Sequence, residues 1–344
     1  TGGGCPHILA EPQRTNLVTY SEDFSEWSPI NSTILSDNTT SPDGTVNADR
    51  ITSTSTGDSA FVRNTQSTQT VSTVYSYSCF VKKGTTDFVR LANRSLGNVS
   101  EASCWFDIQN GVVGDVGSNV SSTKIESFGD GWYKCTVIGT TGGTISTQLT
   151  DIAAATSNGN TSATTGDYIY YWGAQLEEGS YATSYIPTSG STVTRNQDIF
   201  TRDGIGSLIN STEGVLFAEI AALSNDGTYR EISLSDGTSN NVVEIRYTPT
   251  DNNFQFVIRN AGAAVVVESI TLSNALDFNK IAFSYKSNDY KMYVNGVQVA
   301  TDISGAMPSG LNTLSLYWAS NYFYGKVKQL QVYDTALTDT QLAA

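Results

Sequence analysis

The chain has 344 residues, of which 39% are hydrophobic and 10% aromatic, and its formal net charge is -14. This length allows about two domains with separate cores, and the aromatic content is typical of a folded rather than a disordered chain. The acidic balance, without any run of Lys or Arg, argues against nucleic acid as a partner. No apolar run approaches the roughly 20 residues of a membrane helix, so no membrane insertion is expected.

The N-terminal segment, residues 1–13, is rich in Gly and contains the single histidine, His7. We expect this histidine to lie away from any ordered strand. Activation of a Ser or Cys nucleophile and most transition-metal sites need an imidazole held in a fixed position. The placement of His7 therefore argues against both kinds of chemistry.

The first half of the chain shows short runs with period-two alternation, bounded by Gly, Asn, Asp and Ser. No segment sustains a helical period. Asn110-Gly111, Asp130-Gly131 and Asn158-Gly159 are predicted turns because these residues tolerate positive φ. The predicted strands of this half are Val74–Lys82, Asp87–Ala92, Ser103–Ile108, Lys134–Gly139 and Tyr168–Leu176.

The four cysteines are Cys5, Cys79, Cys104 and Cys135, and their spacing matches neither a zinc ribbon nor a redox pair. The last three fall in strand-like runs, where a free cysteine behaves as a small buried hydrophobe. We expect three inert core thiols. A disulfide between Cys79 and Cys135 is the alternative.

The strand pattern is interrupted between Pro187 and Ile205, which predicts a domain boundary with residues 191–204 as a linker. Alternation then resumes, with Asn295-Gly296 as a hairpin turn and one helical turn capped by Thr338 near the end. The strands predicted for this half are Gly214–Ala221, Arg230–Ser235, Val242–Tyr247, Phe254–Asn260, Ala264–Leu272, Asn279–Lys286, Asp289–Val294, Thr313–Trp318 and Gly325–Val332. The fold class is therefore all-β, with two antiparallel β-sandwich (jelly-roll) domains in tandem.

The stretch Trp172–Thr188, followed by Thr192–Arg195, is too long and irregular for a generic strand pattern. It resembles the seam that closes a carbohydrate-binding-like jelly roll in tail, fibre and other structural proteins of bacteriophages and prophages. The resemblance implies such a jelly roll over residues 14–190. Further segments similar to this module are Glu11–Trp27, Tyr77–Gly84, Ala102–Ile108 and Gly131–Cys135.

The second half resembles a laminin-G or concanavalin-A-like sandwich, which the resemblance places at residues 205–344. Because such a family is defined by core and turn residues, the resemblance specifies the architecture well and the ligand poorly. The segments that carry it are Glu213–Glu219, Leu234–Thr238, Tyr293–Val297 and Gly325–Asp339.

Aromatic and amide side chains gather around the turn after Trp318, namely Asn321, Tyr322 and Tyr324. Aromatic rings pack on the apolar C–H faces of sugars, and amides pair with sugar hydroxyls. Laminin-G-like modules hold this turn at the rim, so the resemblance implies a glycan-binding site formed by these four residues. The alternative is that Trp318 and Phe323 belong to the core while the tyrosines cover a sheet edge.

The resemblance also implies Ca²⁺ as the candidate cofactor, since modules of this kind bind it with Asp, Asn and backbone oxygens of a rim loop. The candidate ligands are Asp236, Asn240 and Asp251. Their spacing is less definite than that of an EF-hand, and acidic loops without metal remain the alternative.

No catalytic residue is assigned from the sequence. Glu177 and Glu178 are consecutive, so their carboxylates point to opposite faces of a strand and do not form an acid–base pair. Arg246, Tyr247 and Arg259 are residue types that a polysaccharide lyase uses, but exposed strand-edge residues are the preferred interpretation.

These features predict a non-catalytic surface protein of a phage virion, a tail fibre, appendage or decoration protein. We expect it to attach to cell-surface polysaccharide or other glycans as a homo-oligomer, together with other virion proteins. One alternative is a purely structural decoration or joining protein without a sugar site, and another is a lyase or glycosidase that degrades polysaccharide. Fold analogy alone does not choose among them.

Overall fold

The computed structural model describes residues 7–65, 68–145 and 148–344. The chain divides into two compact units, Gln13–Asn196 and Gln197–Ala344, and the second also includes the segment that ends at Pro12. Nearly all regular elements are antiparallel strands, which confirms the predicted all-β class with sandwich domains.

The strands up to the division between the units are short and separated by turns. Between them lie two 3₁₀ turns, Phe24–Glu26 and Arg94–Leu96, and helix α1 (Val99–Ala102). The strands are β1 Ile8–Ala10, β2 Arg14–Asn16, β3 Ser28–Ile30, β4 Ser32–Thr40, β5 Val46–Ser53, β6 Phe61–Asn64, β7 Val74–Lys83, β8 Phe88–Asn93, β9 Ser103–Asp107, β10 Val112–Val116, β11 Ser122–Gly129, β12 Trp132–Thr140, β13 Thr150–Ala155, β14 Tyr168–Glu178 and β15 Val193–Arg195.

The first unit contains two six-stranded sheets, β10-β9-β8-β13-β6-β3 and β11-β12-β7-β14-β5-β4. Alternate residues of each strand enter one core, among them Tyr77, Leu91, Phe106 and Tyr171, which are fully buried. The other alternate residues point to the outer faces of the sheets. Strands β3 to β6, β10, β11 and β13 were not predicted.

The second unit continues with thirteen strands and ends in helix α2 (Asp339–Leu342). These strands are β16 Thr201–Arg202, β17 Glu213–Ala222, β18 Arg230–Ser235, β19 Val242–Tyr247, β20 Asn253–Asn260, β21 Ala263–Thr271, β22 Asn279–Lys286, β23 Tyr290–Val294, β24 Val297–Asp302, β25 Thr313–Ser315, β26 Tyr317–Trp318, β27 Asn321–Tyr322 and β28 Gly325–Tyr333.

Two six-stranded sheets enclose the core of the second unit, β1-β28-β17-β22-β23-β24 and β16-β25-β18-β19-β20-β21. The core is rich in aromatic side chains, with Phe254, Phe256 and Phe283 in successive edge-on contacts at centroid distances of 5.5 and 5.4 Å. Such contacts add to the stabilisation from burial alone. The predicted strand Thr313–Trp318 is in fact two strands, because the chain leaves the sheet after Ser315 and enters the β26–β27 hairpin.

Local signals predicted the turns and the last helix correctly. Asn295 and Gly296 have φ of 50° and 80° and join β23 to β24, as positive-φ residues in a tight hairpin do. Thr338 caps α2, and Gln341 completes the capping box.

The expectation that His7 lies away from any strand is wrong. Strand β1 begins at the next residue and pairs with β28, with Ile8 opposite Val327 and Ala10 opposite Gly325. Ala10 is fully buried, so this short apolar run completes one edge of the second unit's sheet. Three residues are too few for an alternation pattern to identify a strand.

The predicted linker, residues 191–204, contains two short strands. Strand β15 pairs with β2 of the first unit, and β16 pairs with β25 of the second. The division between the units falls between Asn196 and Gln197, and the predicted domain limits stay a prediction that proteolysis can test.

Cys79, Cys104 and Cys135 are free and buried, as the preferred interpretation predicted. Cys79 and Cys135 are register partners on β7 and β12, but no disulfide joins them, and the Sγ of Cys79 donates to the Trp172 carbonyl oxygen at 3.4 Å. Burial raises the pKa of the Cys104 thiol to about 12 and that of Cys79 further, so these thiols are unreactive. Cys5 lies outside the described residues.

Candidate functional site

A cluster of polar and charged side chains lies on the outer face of the β16-β25-β18-β19-β20-β21 sheet of the second unit. Ile232, Ile245 and Phe256 point into the core, so their neighbours along the strands point outward. The outward polar residues are Glu231, Ser233, Ser235, Glu244, Arg246, Gln255, Arg259, Thr313 and Ser315.

Two fully buried carboxylates share one guanidinium on this face. Arg246 Nη1 lies 3.0 Å from Glu244 Oε1 and 3.5 Å from Glu231 Oε1, and its Nε donates to Gln255 Oε1 at 2.9 Å. Burial, and then the charge of Glu244, raise the pKa of Glu231 to about 8, and burial also raises that of Glu244. The pair therefore holds a proton at neutral pH.

The β26–β27 hairpin lies over these charges and is fastened to the sheet at three points. Asn321 Nδ2 donates to Glu231 Oε1 at 3.0 Å, and Ser233 Oγ donates to the Tyr317 carbonyl oxygen at 2.8 Å. The Trp318 ring stacks over the guanidinium of Arg259, whose carbon is 4.9 Å from the ring centroid. These three contacts hold the aromatic residues of the hairpin in place above the sheet.

A groove of about 450 Å³ runs beside this hairpin. Six Ser and Thr residues line it, four of which stand on β18 and β25, and Tyr317 and Trp318 of the hairpin add an aromatic wall. The volume falls in the usual range of small-ligand sites. Hydroxyls beside a partly exposed ring offer a sugar hydrogen-bond partners and an apolar surface. The lining residues are Asp203, Ser233, Ser235, Gly237, Thr238, Ser239, Thr313, Ser315, Tyr317, Trp318 and Ala319.

The four residues predicted to bind glycan lie together, but they play different parts. Trp318 lines the groove, whereas Asn321 binds the buried Glu231. Tyr322 and Tyr324 stack with their centroids 6.0 Å apart, and the Tyr324 hydroxyl donates to Gln197 Oε1 at 2.8 Å.

The residues predicted to bind Ca²⁺ do not form one site. Asp236 and Asn240 lie in the loop before β19, and Asp251 lies in the loop after it, so the length of a strand separates them. Burial alone would raise the pKa of Asp236, but hydrogen bonds from Asn241 and Thr238 lower it. These donors stabilise the carboxylate without a metal. Among the described residues, no cluster of three or more His, Cys, Asp or Glu has a geometry that could hold a metal ion.

The side chains considered for catalysis do not converge. Glu177 is buried and accepts from the Thr183 amide at 2.9 Å, while Glu178 is exposed, as their adjacency predicted. Tyr247 lies in the core and its neighbour Arg246 on the outer face, so the two cannot act on one substrate. The interpretation of these as exposed strand-edge residues is also wrong, because β19 lies inside the sheet and Tyr247 is buried.

The prediction from sequence did not include the pairing of Glu231 with Glu244, because it considered only carboxylates at alternate positions of one strand. The pair comes from neighbouring strands, where Glu231 faces Arg246 and Glu244 faces Ser233. The available signal was a Glu at an outward position in each of two strands that a six-residue loop connects into a hairpin.

Comparison with known proteins supports the lectin-like part of the expectation. Residues 219–343 match the model of the Concanavalin A-like lectin/glucanases superfamily. This matched range lies wholly within the second unit. No curated protein matches the chain.

Solved structures with some likeness include sheep galectin-11, with 9% identity and a TM-score of 0.31 over 40% of this chain and 99% of that one. The sialidase CBM40 of Ruminococcus gnavus bound to α2,3-sialyllactose has 15% identity and a TM-score of 0.34 over 42% and 96%. The SAP-like pentraxin of Limulus polyphemus has 16% identity and a TM-score of 0.32 over 40% and 70%. Likeness at this level does not define a ligand.

In the part of the chain that the structure describes, no helix is long and apolar enough to cross a membrane.

Proposed function

We propose that this chain is a non-catalytic protein of a virion surface, a fibre, appendage or decoration protein, that attaches to cell-surface glycans through the groove beside Trp318. The single observation that carries the proposal is the combination of Ser and Thr hydroxyl groups with an aromatic wall in a groove of about 450 Å³. The match of this unit to a lectin-containing superfamily supports it.

The groove supplies both kinds of contact that a neutral sugar uses. The indole of Trp318 offers a face for the C–H groups of a pyranose ring, and its stacking on Arg259 limits its motion. Ser235 and Ser315 line the groove with hydroxyls, which can both donate and accept, whereas the hydroxyl of Ser233 donates to the Tyr317 carbonyl oxygen and can only accept from a sugar. Because these side chains stand on strands rather than on a loop, little order has to be gained on binding.

A single groove of this kind binds weakly, so attachment requires many copies. Several grooves on one particle that engage one polysaccharide raise the effective affinity by about 10²–10⁴ without any new contact. A homo-oligomer at a virion surface meets this requirement.

The test is a glycan array probed with the intact chain, followed by titration of the best bacterial polysaccharide. Trp318→Ala should abolish binding, while Tyr333→Ala, which removes a half-exposed ring from the other sheet of the same unit, should leave it unchanged. Absence of any glycan ligand for the intact chain would favour a purely structural joining protein.

One observation favours a hydrolase as the second candidate. Glu231 and Glu244 lie on the same face as the groove, and a carboxyl with a pKa of about 8 is a suitable general acid. Both carboxylates are fully buried, however, and Asn321 of the hairpin donates a hydrogen bond to Glu231. The hairpin would therefore have to move before a substrate could reach either carboxylate. Release of reducing ends from the bound polysaccharide, lost in Glu231→Gln, would establish this candidate; its absence supports non-catalytic binding.

A further inference from the structure

A cluster of arginines lies on an outer face of the first unit, on the β10-β9-β8-β13-β6-β3 sheet. Val62, Val89 and Ile152 enter the core, so Arg63 and Arg90 point to the opposite face. Asp151 lies directly across from Arg63 in the register, and Ala153 lies across from Arg90. Arg94 follows at the end of β8 and reaches the same carboxylate.

The cluster holds more positive than negative charge. Asp151 is fully buried and binds Arg63 through both oxygens, at 2.7 Å to Nε and 2.8 Å to Nη2, and Arg94 Nη1 is 3.8 Å from it. Two guanidinium groups thus pair with one carboxylate, and Arg90 on the neighbouring strand adds a third cation without an ion pair of its own among the described residues, so the four side chains carry a formal charge of +2. This local excess of positive charge contrasts with the net charge of -14 of the whole chain.

Arg90 is the member whose charge is least compensated. Its side chain is 1% exposed, and among the described residues its Nε has no hydrogen-bond partner. Burial lowers its pKa, and the charges of Arg94 and Arg63 oppose the favourable effect of Asp151. A buried cation without a full set of partners is costly. An anion bound against it would remove that cost.

An aromatic ring adjoins the guanidinium groups. The ring centroid of the half-buried Phe61 lies 4.8 Å from the guanidinium carbon of Arg63 and 5.9 Å from that of Arg90. The side chains of Arg63 and Arg94 are 24% and 19% exposed, so a ligand can reach the cluster from its rim. The surface thus combines a guanidinium fork with a partly exposed apolar ring.

We propose that this cluster binds the carboxylate of an acidic sugar unit in a polysaccharide. Arg63 and Arg94, at the exposed rim, bind the sugar carboxylate. Arg90 adds positive charge beneath it, and Phe61 contacts the sugar ring. Asp151 already occupies Nε and Nη2 of Arg63 in two parallel hydrogen bonds, so the sugar carboxylate uses the remaining Nη1 of Arg63 together with the guanidinium of Arg94. This proposal does not depend on the groove beside Trp318, which belongs to the other unit.

The experiment is a calorimetric titration of the intact chain with polygalacturonate and with its methyl-esterified form, which has the same backbone without the charge. We expect binding of the acid only, weakened by added salt because exposed charges are screened. Arg90→Met, which keeps the side-chain volume and removes the charge, should weaken binding at least tenfold without lowering the melting temperature. Arg94→Gln, at a more exposed position, should weaken it in the same direction and serves if Arg90→Met does not fold.

Trp318→Ala provides the control that separates the two proposals, because it should leave polygalacturonate binding unchanged while it abolishes binding at the groove. Equal binding of the acid and the ester, unchanged binding in both arginine variants, or no binding of the acid would overturn the arginine site. Competition by inorganic phosphate at the same concentration as the uronate would also overturn it, since a site built for an acidic sugar should prefer the carboxylate with its ring.

Discussion

The outer faces of the two sandwiches carry buried clusters with opposite proportions of arginine and carboxyl side chains. In the first unit Arg63 and Arg94 pair with Asp151 beside a third arginine, Arg90, and in the second Glu231 and Glu244 share Arg246. Both clusters lie on a six-stranded antiparallel sheet whose other face enters a hydrophobic core. The inward residues of a strand determine that a sandwich forms, whereas the outward residues are free to determine what it binds.

The largest effect should come from removing the counter-charge of the arginine cluster. Asp151→Asn leaves Arg63 and Arg94 without their common partner, and breaking a buried ion pair typically costs about 3–5 kcal/mol. The free energy of unfolding of the first unit should fall by that amount in urea denaturation, with no change in the transition of the second unit.

The matched control is Asp87→Asn, which breaks the exposed pair of Lys83 and Asp87, whose side chains are 38% and 49% exposed. Exposed pairs contribute about 0–1 kcal/mol. If the two variants lose equal stability, Asp151 is not the counter-ion that the geometry indicates.

The carboxylate cluster should make the second unit less stable as the pH rises. Folded Glu231 keeps its proton up to pH about 8, whereas the unfolded chain releases it near the ordinary value of 4.5. Between these values unfolding releases a proton, so the free energy of unfolding falls with increasing pH. We expect a loss on the order of 4 kcal/mol from pH 5 to pH 9, because about three pH units lie between pH 5 and the folded pKa and each contributes about 1.4 kcal/mol.

Glu231→Gln should remove most of this dependence, since the amide stays neutral and Glu244 then faces Arg246 without a competing charge. The mutant should match the natural chain at pH 5 and exceed its stability at pH 9, measured by urea denaturation at each pH. A mutant with the same pH profile as the natural chain would contradict the shifted pKa.

Tyr322, whose ring packs on the groove residue Tyr317, and Tyr324, which stacks on Tyr322, should affect binding more than folding. Tyr322→Ala and Tyr324→Ala are expected to lower glycan affinity about tenfold, or about 1.4 kcal/mol, with little change in melting temperature. Titration and thermal melting of the intact variants test this. A large fall in melting temperature without lost affinity would show that these rings only cover the sheet, and it would favour the structural alternative.

Limited proteolysis can test the predicted linker between the two units. Cleavage between Pro187 and Ile205 should leave two resistant fragments, because only the short, largely exposed strands β15 and β16 interrupt this segment. Mass spectrometry of the products identifies the cut. A single resistant fragment that contains both units would contradict the predicted linker.

Much of the fold could be predicted because its signals are local. Strands Arg230–Ser235, Val242–Tyr247 and Asn279–Lys286 agree with the prediction at both ends, since apolar residues alternate with polar ones throughout each. Asn295-Gly296 and Thr338 mark a turn and a helix start through their own backbone preferences. The sequence by itself therefore determined the all-β class, most strands of the second unit and the burial of Cys79, Cys104 and Cys135.

Only the tertiary structure decided which charged side chains meet. Glu231 and Glu244 are 13 positions apart, and Arg63 and Asp151 are 88 apart, so their contacts depend on which strands become neighbours and in which register. A shift of one residue would turn each of these side chains to the other face. The strand order also places Asp236 and Asp251 at opposite ends of β19, and it places β1 beside the last strand. Packing of the whole core determines which strands become neighbours, and the pattern within any one segment does not.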